Sequence, residues 1–353
     1  MTAAFSLPEE LLLSIFNHID SVAQLAQCRL TCARWNSTAA AVMFGKKITI
    51  KTEDQAIKLQ RHLLQDPSKV SLIRHLHFQL SDYDLPPALE QLMHLVITPN
   101  IQKLSGFVAS DKFFTALIAI ADKTHSSFDQ LKDVPEYIGP NEGISSKVHL
   151  KFKSAIHTLR LQIVNAAIDS SYIPWYQLLD QYPNLTTFTL ESVPIQFKRL
   201  DTAIKRCHHL KSLSLKGVEP GEQSIPERMS KEQLISWATS HVEKEKALQT
   251  ISIDETAFYP EFFEYLQFKY PNVSTVSIEK RLWKPAHDIN SWVAEDFNRV
   301  LDAFKAVSQK QIKLLLPSRF HVGLVVEFVA TRQESIRLTT AFQGRNQCLM
   351  TIH

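Results

Sequence analysis

Gln181-Tyr-Pro-Asn-Leu185 and Lys269-Tyr-Pro-Asn-Val273 are the same phrase written twice, and each runs straight into an apolar-x-x-apolar-x-apolar core. The first core is Leu185/Phe188/Leu190 and the second is Val273/Val276/Ile278. Helical periodicity precedes each phrase, and proline ends a helix and restarts an extended chain. The shared punctuation therefore marks a shared unit of helix, turn and short strand. Working outward, the core recurs as Ile73/Leu76/Phe78, Ile156/Leu159/Leu161, Leu210/Leu213/Leu215 and Leu248/Ile251/Ile253. Weaker copies sit near Ile101/Leu104 and across Ile312 to Leu316. Close neighbours among the cores lie 25 or 29 residues apart, and the wider gaps of 38–39 hold longer helical inserts.

A unit of this length cannot bury its apolar face alone, so stacked neighbours must supply the core. In this the chain resembles leucine-rich repeat proteins. The resemblance implies an α/β fold for residues 45–353, a degenerate βα solenoid with a parallel sheet. That family places Asn or Cys three residues beyond each core, whereas here Val164, Val193, Val218, Thr256 and Arg281 stand there. An α/β domain without horseshoe curvature is the alternative. Helical period predicts helices over 54–65, 172–182, 198–208, 231–246, 258–270, 290–307 and 322–332, with a first strand over 46–50. Residues 122–151, carrying Pro135, Gly139, Pro140 and Gly143, fit the repeat poorly. They are expected to form one distorted repeat with a long loop around 133–146.

Side chains alternate along a strand, so the second and fourth residues after each first apolar position point away from the interior. Those positions hold His75/His77, Thr158/Arg160, Thr187/Thr189, Ser212/Ser214, Thr250/Ser252 and Thr275/Ser277. Stacking is expected to align them into a nearly uncharged hydroxyl strip on the concave face, with Arg160 and the histidines towards one end. Hydroxyl-bearing residues suit strands in any case, so a plain solvated sheet is one reading. The other is a target-binding surface with His75, His77, Arg160, Thr187, Thr189, Ser212 and Ser214 as its contacts. Trp283, Trp292 and the loop before Phe342 form a second candidate surface.

The first forty-four residues are built differently. Ser6 and Glu9 have capping-box spacing, and Pro8 suits a first helical turn. Leu11, Leu12, Ile15, Phe16 and Ile19 then recur at three- and four-residue steps. Ser21 permits a second start, followed by Leu25, Cys28, Leu30, Cys32 and Trp35. A module of about 40 residues cannot bury all of its apolar surface on itself. Part of Leu7, Pro8, Leu11, Leu12, Ile15 and Phe16 is therefore expected to meet another protein.

Leu-Pro-x-Glu-Leu-Leu-x-x-Ile-Phe from Leu7 to Phe16, then Leu25 and Cys28-x-x-x-Cys32-x-x-Trp35, resembles an F-box. Leu30 departs from the valine common in that family. The resemblance implies a Skp-type adaptor as partner and, through it, a cullin-RING ubiquitin ligase. Leu7 and Pro8 would open the adaptor contact and Leu12, Ile15 and Phe16 continue it. Cys28, Leu30 and Trp35 would pack the module's own helices or the adaptor's edge. The expected organisation is an F-box module over 1–44 and a repeat solenoid over 45–353. The expected function is a substrate receptor that carries a target protein to the ligase, which supplies the chemistry. The competing reading is a non-degradative interaction scaffold with no ligase role.

Composition excludes several other classes. Hydrophobic content of 44% with 21% charged residues is that of an ordinary folded protein. Thirty-nine basic against 36 acidic residues, a net +3, is too balanced for nucleic acid or an anionic membrane surface. No stretch approaches a transmembrane length, and Glu9 and Glu10 interrupt any signal-peptide pattern. The unevenly spaced cysteines at 28, 32, 207 and 348 suit a reducing compartment, the cytoplasm or the nucleus. Eight glycines permit no phosphate-cradling Gly-x-Gly-x-x-Gly loop. No Gly-x-Ser-x-Gly elbow occurs. Cys28 and Cys32 lack a second ligand pair, and neither Cys207-His208-His209 nor His75-x-His77 gathers a carboxylate. No cofactor, metal or intrinsic catalysis is expected. An enzyme with an unrecognised site is the weakest of the three classes.

Overall fold

The computed structural model describes residues 7–124, 127–162, 179–191, 194–195, 204–205, 207–217, 219–220, 230–254, 260–279, 299, 302–303, 311–316, 323, 326, 330, 338–343 and 347–352. The chain divides into two compact units, residues 1–156 and 157–353.

The first unit opens with three helices, α1 (Glu9–Asn17), α2 (Val22–Thr31) and α3 (Ala33–Gly45). There follow β1 (Lys47–Ile50), α4 (Glu53–Gln65), β2 (His75–Leu80), α5 (Pro87–Val96), β3 (Lys103–Val108), α6 (Asp111–Lys123), β4 (Glu136–Tyr137) and α7 (Glu142–Lys151). β1 to β4 pair in sequence order, all parallel, as βα alternation demands. Local chemistry sets the helix starts. Thr52 caps α4 by accepting from Gln55 N–H, and Glu53 and Asp54 lie at the positive end of its dipole. Pro86 and Pro87 open α5. Phe113, Phe114, Leu117 and Ile120 give α6 a buried stripe. Edge-to-face rings then run from Phe78 through Phe113 and Phe114 to Tyr137, joining β2, α6 and β4.

The weaker core copy at Ile101/Leu104 forms a strand, β3, with Leu104 and Val108 buried and α5 and α6 on either side in the chain. One sequence expectation needs correction here. The long loop expected around 133–146 is broken by β4 and by the first turns of α7. Tyr137 holds that segment in, its ring on Phe114 and its hydroxyl donating to Asp111.

The second unit contains β5 (Thr158–Gln162), β6 (Thr187–Glu191), β7 (Pro194–Ile195), β8 (Ser212–Lys216), β9 (Glu219–Pro220), α8 (Lys231–His241), β10 (Thr250–Asp254), α9 (Pro260–Lys269), β11 (Thr275–Glu279), β12 (Gln311–Leu316), β13 (Leu338–Gln343) and β14 (Gln347–Ile352). Among the described residues its main sheet has the order β13-β14-β12-β11-β10-β8-β6-β5. It is parallel from β5 to β12, whereas β14 and β13 add antiparallel, an ending the repeat pattern did not announce. β7 and β9 form a separate two-residue parallel pair. The fold is thus three helices followed by parallel-sheet βα repeats, a mixed α/β architecture, as expected.

The doubled phrase makes the same turn twice. Leu185 N–H donates to Tyr182 C=O at 3.3 Å, and Val273 N–H to Tyr270 C=O at 3.2 Å, with both tyrosines buried. α8 carries a full capping box between Ser230 and Gln233. The helices expected over 172–182, 198–208, 290–307 and 322–332 lie largely outside the described residues, apart from a 3-10 turn at Leu179–Gln181 and isolated helical positions. Trp283 and Trp292 lie outside them altogether. No described helix is long and apolar enough to cross a membrane.

Gly106 on β3 has φ +91°, and a Cβ there would stand 1.8 Å from the Phe78 carbonyl oxygen. Gly106→Ala must therefore push β3 away from β2. We expect a loss of roughly 1–3 kcal/mol, read as a lower urea midpoint at unchanged slope.

Candidate protein-interaction surfaces

The N-terminal module is held by Leu12, Phe16, Leu25, Ala39 and Val42, against which Leu7, Ile19, Cys28, Trp35 and Met43 pack in part. Phe16 meets Trp35 edge-on, with ring centroids 5.4 Å apart. Arg34 donates to the Leu7 carbonyl and pins the entry to α1. That helix begins at Glu9, with Pro8 as its cap and no side-chain cap bond. Pro8 thus lies one residue before the first turn, and Ser6 is outside the described residues. Ser21 caps α2 as expected, accepting from Gln24 N–H.

The α1 stripe splits into two faces. Leu12 and Phe16, one turn apart, are each 1% exposed and form the module's own core. Leu11 and Ile15, also one turn apart, are 51% and 48% exposed, and Leu13 joins them at the surface. Pro8 is exposed and Leu7 half-buried. Of the six residues marked for adaptor contact, two therefore hold the module together and the others lie wholly or partly at its surface. Leu30, which the resemblance placed in the module's own packing or at the adaptor's edge, is 79% exposed and so does not pack the module, and Val22 on the same helix is exposed as well. Spacing alone does not decide which of them faces out, because α2 shows apolar residues on more than one face.

His75 and His77 stand on the polar face of β1–β4, joined by a row of hydrogen bonds. Gln79 Nε2 donates to His77 Nε2 at 3.2 Å, which leaves the proton on Nδ1 to donate to Ser105 Oγ at 3.0 Å. Ser105 Oγ also hydrogen-bonds His75 Nε2, at 2.7 Å. Burial, with Lys103 and Lys47 nearby, pushes His75 down to about 4. Burial also lowers His77, helped by Lys47, Lys51 and Lys103. Both imidazoles are neutral at pH 7, and a serine that sequence reading passed over joins them.

Arg160, Thr187, Thr189, Ser212 and Ser214 lie on the other sheet. Pairing sets Thr158, Thr187, Ser212, Thr250 and Thr275 on one register line, and Arg160, Thr189, Ser214, Ser252 and Ser277 on the next. The hydroxyl strip is real as a register. It does not include the histidines, which belong to a different sheet. Arg160 is also committed within its sheet. Its Nη2 donates to both Glu191 carboxylate oxygens, at 2.7 and 2.8 Å, and Lys216 approaches the same carboxylate at 3.2 Å. Glu191 and Lys216 share a third register line, two residues further along, that the core pattern did not cover. Cys207 is a buried core side chain whose thiol burial pushes up to about 12.

Protonation links the histidine cluster to stability. His75 binds a proton only near pH 4 in the fold, against 6.5 for a free imidazole, so the folded state holds fewer protons across that window. Its stabilising contribution is full above pH 6.5 and lost as pH falls towards 4. Asp133, raised by burial from 3.8 to about 6, works in the opposite sense between those values. His75→Gln is expected to lose less stability than wild type between pH 6.5 and 4.5, and Asp133→Asn to lose more. Urea midpoints at the two pH values measure both.

Comparison with known proteins adds two findings. Residues 4–42 match the family model described as F-box-like. The crystal structure of the leucine-rich repeat-containing protein LegL7 from Legionella pneumophila aligns at a TM-score of 0.43 and 15% identity, covering 84% of this chain and 94% of that one. No curated protein sequence matches. The repeat assignment rests on the chain's own strand ladder. F-box and leucine-rich repeat families are typically non-catalytic interaction modules, and F-box domains generally bind Skp-type adaptors. This chain carries an F-box-like domain at residues 4–42, followed by a parallel βα repeat fold.

Proposed function

We propose that the chain is a substrate receptor of a Skp–cullin–F-box ubiquitin ligase. The F-box-like module binds a Skp-type adaptor, and the repeats hold a target protein beside the ligase. Transfer to the target then becomes effectively intramolecular. The observation that carries this reading is the division of α1, with Leu12 and Phe16 closing the core while Leu11, Leu13 and Ile15 stay uncovered. Exposed apolar residues clustered on so small a module suit a protein partner. Leu7, Pro8, Leu11 and Ile15 make the contact in this reading, and Leu12 and Phe16 shape the helix that presents them. The chain would act in the cytoplasm or nucleus.

Co-purification of the full chain with a Skp-type adaptor tests the proposal. Leu11→Asp/Ile15→Asp is expected to abolish capture while leaving the circular dichroism spectrum unchanged, because both side chains are on the surface. Leu12→Ala is expected to cost roughly 2–5 kcal/mol of stability instead. Capture of the double variant at wild-type level would rule out this face. A bound protein that accumulates on proteasome inhibition marks delivery to the ligase, and one that does not marks a scaffold.

A further inference from the structure

We propose that the polar face of the first unit's sheet, built by Lys47, Lys51, His75, His77, Lys103 and Ser105, binds an acidic, Glu- or Asp-rich peptide segment of the protein this chain recruits. The inference rests on the recruiting role above for the source of the segment, and on the sheet for its chemistry.

Register places Lys47, His75 and Lys103 on one line across β1, β2 and β3, and Thr49, His77 and Ser105 on the next. Lys47, Lys51 and Lys103 are exposed, and the residues between them are half-buried. Lys47 and Lys103 disfavour protonation of both imidazoles, and Lys51 adds to this at His77. The acid facing this line is Asp133, 3.5 Å from Lys103 at the β4 side. Among the described residues Lys47 and Lys51 have no such partner acid; Lys47 opens the edge strand β1 and Lys51 follows its last residue. The hydrogen-bonded row from Gln79 to His75 fixes the floor between the lysines.

The spacing suits an extended acidic segment. Strands lie about 4.8 Å apart, so Lys47 and Lys103 are separated by roughly 10 Å. A polyproline II chain advances about 3.1 Å per residue with three residues per turn, which returns a side chain to the same face after roughly 9 Å. Carboxylates three residues apart can therefore meet the two lysines, with Ser105 and the imidazoles beneath.

The test is fluorescence anisotropy of the full chain with a labelled peptide bearing Glu at every third position, beside the same peptide with Gln for Glu. Wild type is expected to bind the Glu peptide, to bind the Gln peptide much more weakly, and to lose affinity with added salt. Lys47→Glu/Lys103→Glu is expected to weaken binding about tenfold. Lys58→Glu/Lys123→Glu, with the same change in net charge on α4 and α6, is expected to leave it unchanged. Equal binding of the two peptides, no binding by wild type, or equal losses in both double variants would overturn the inference. Adaptor capture by the Lys47→Glu/Lys103→Glu variant keeps the two readings separate, because that variant leaves the α1 face intact.

Discussion

At β2, β5, β6, β8 and β10, the backbone carbonyl just ahead of the strand accepts from two successive amides at the start of the neighbouring strand. Arg74 C=O takes Gln102 and Lys103, and His157 takes Thr186 and Thr187. Thr186 takes Lys211 and Ser212, Lys211 takes Gln249 and Thr250, and Gln249 takes Ser274 and Thr275. The same lock appears in both units, and it admits one register. Because side chains alternate along a strand, a slip of one residue would turn every buried group outward. With the lock in place, Leu159, Phe188, Leu213, Ile251 and Val276 share one line, each buried to within a few per cent, while Leu161 at the end of β5 is half-buried. Apolar burial at roughly 25 cal/mol per Å2 rewards that register over any neighbour.

The same lock decides what lies on the other face. Whatever occupies the intervening positions is brought into rows, and the two sheets use those rows differently. In the second unit an arginine, a glutamate and a lysine fall close enough to satisfy one another, so Arg160 is held inside its own sheet beside a row of hydroxyls. In the first unit lysines fall beside histidines, and the imidazoles respond by staying neutral and bonding through Ser105. The N-terminal module follows the opposite principle. It has too few residues to enclose its apolar side chains, and two of the α1 pairs separate into a core pair and a surface pair.

Much of this was legible in the chain. The spacing of Leu, Ile and Phe marked strands by a rule that depends only on alternation, and β2, β5, β6, β8, β10 and β11 lie where it placed them. The rule failed where tertiary contacts replaced local pattern. β4 is two residues long and is held by the Tyr137 ring and hydroxyl, partners that lie more than twenty residues away. The antiparallel β13–β14 ending pairs residues by a return of the chain that no repeat period encodes.

The sequence by itself determined the three-helix module, the βα period, the parallel pairing it implies and which residues alternate inward, because each follows from local spacing and the short connections between units. Only the tertiary structure decided which of Leu11, Leu12, Ile15 and Phe16 face outward, that Arg160 is neutralised by Glu191, and that His75 and His77 share Ser105. Those outcomes depend on which residues stand opposite one another across strands and helices. Such partners lie about thirty residues apart in the chain for both Arg160–Glu191 and His75–Ser105, and their positions are set by packing and register rather than by any local pattern.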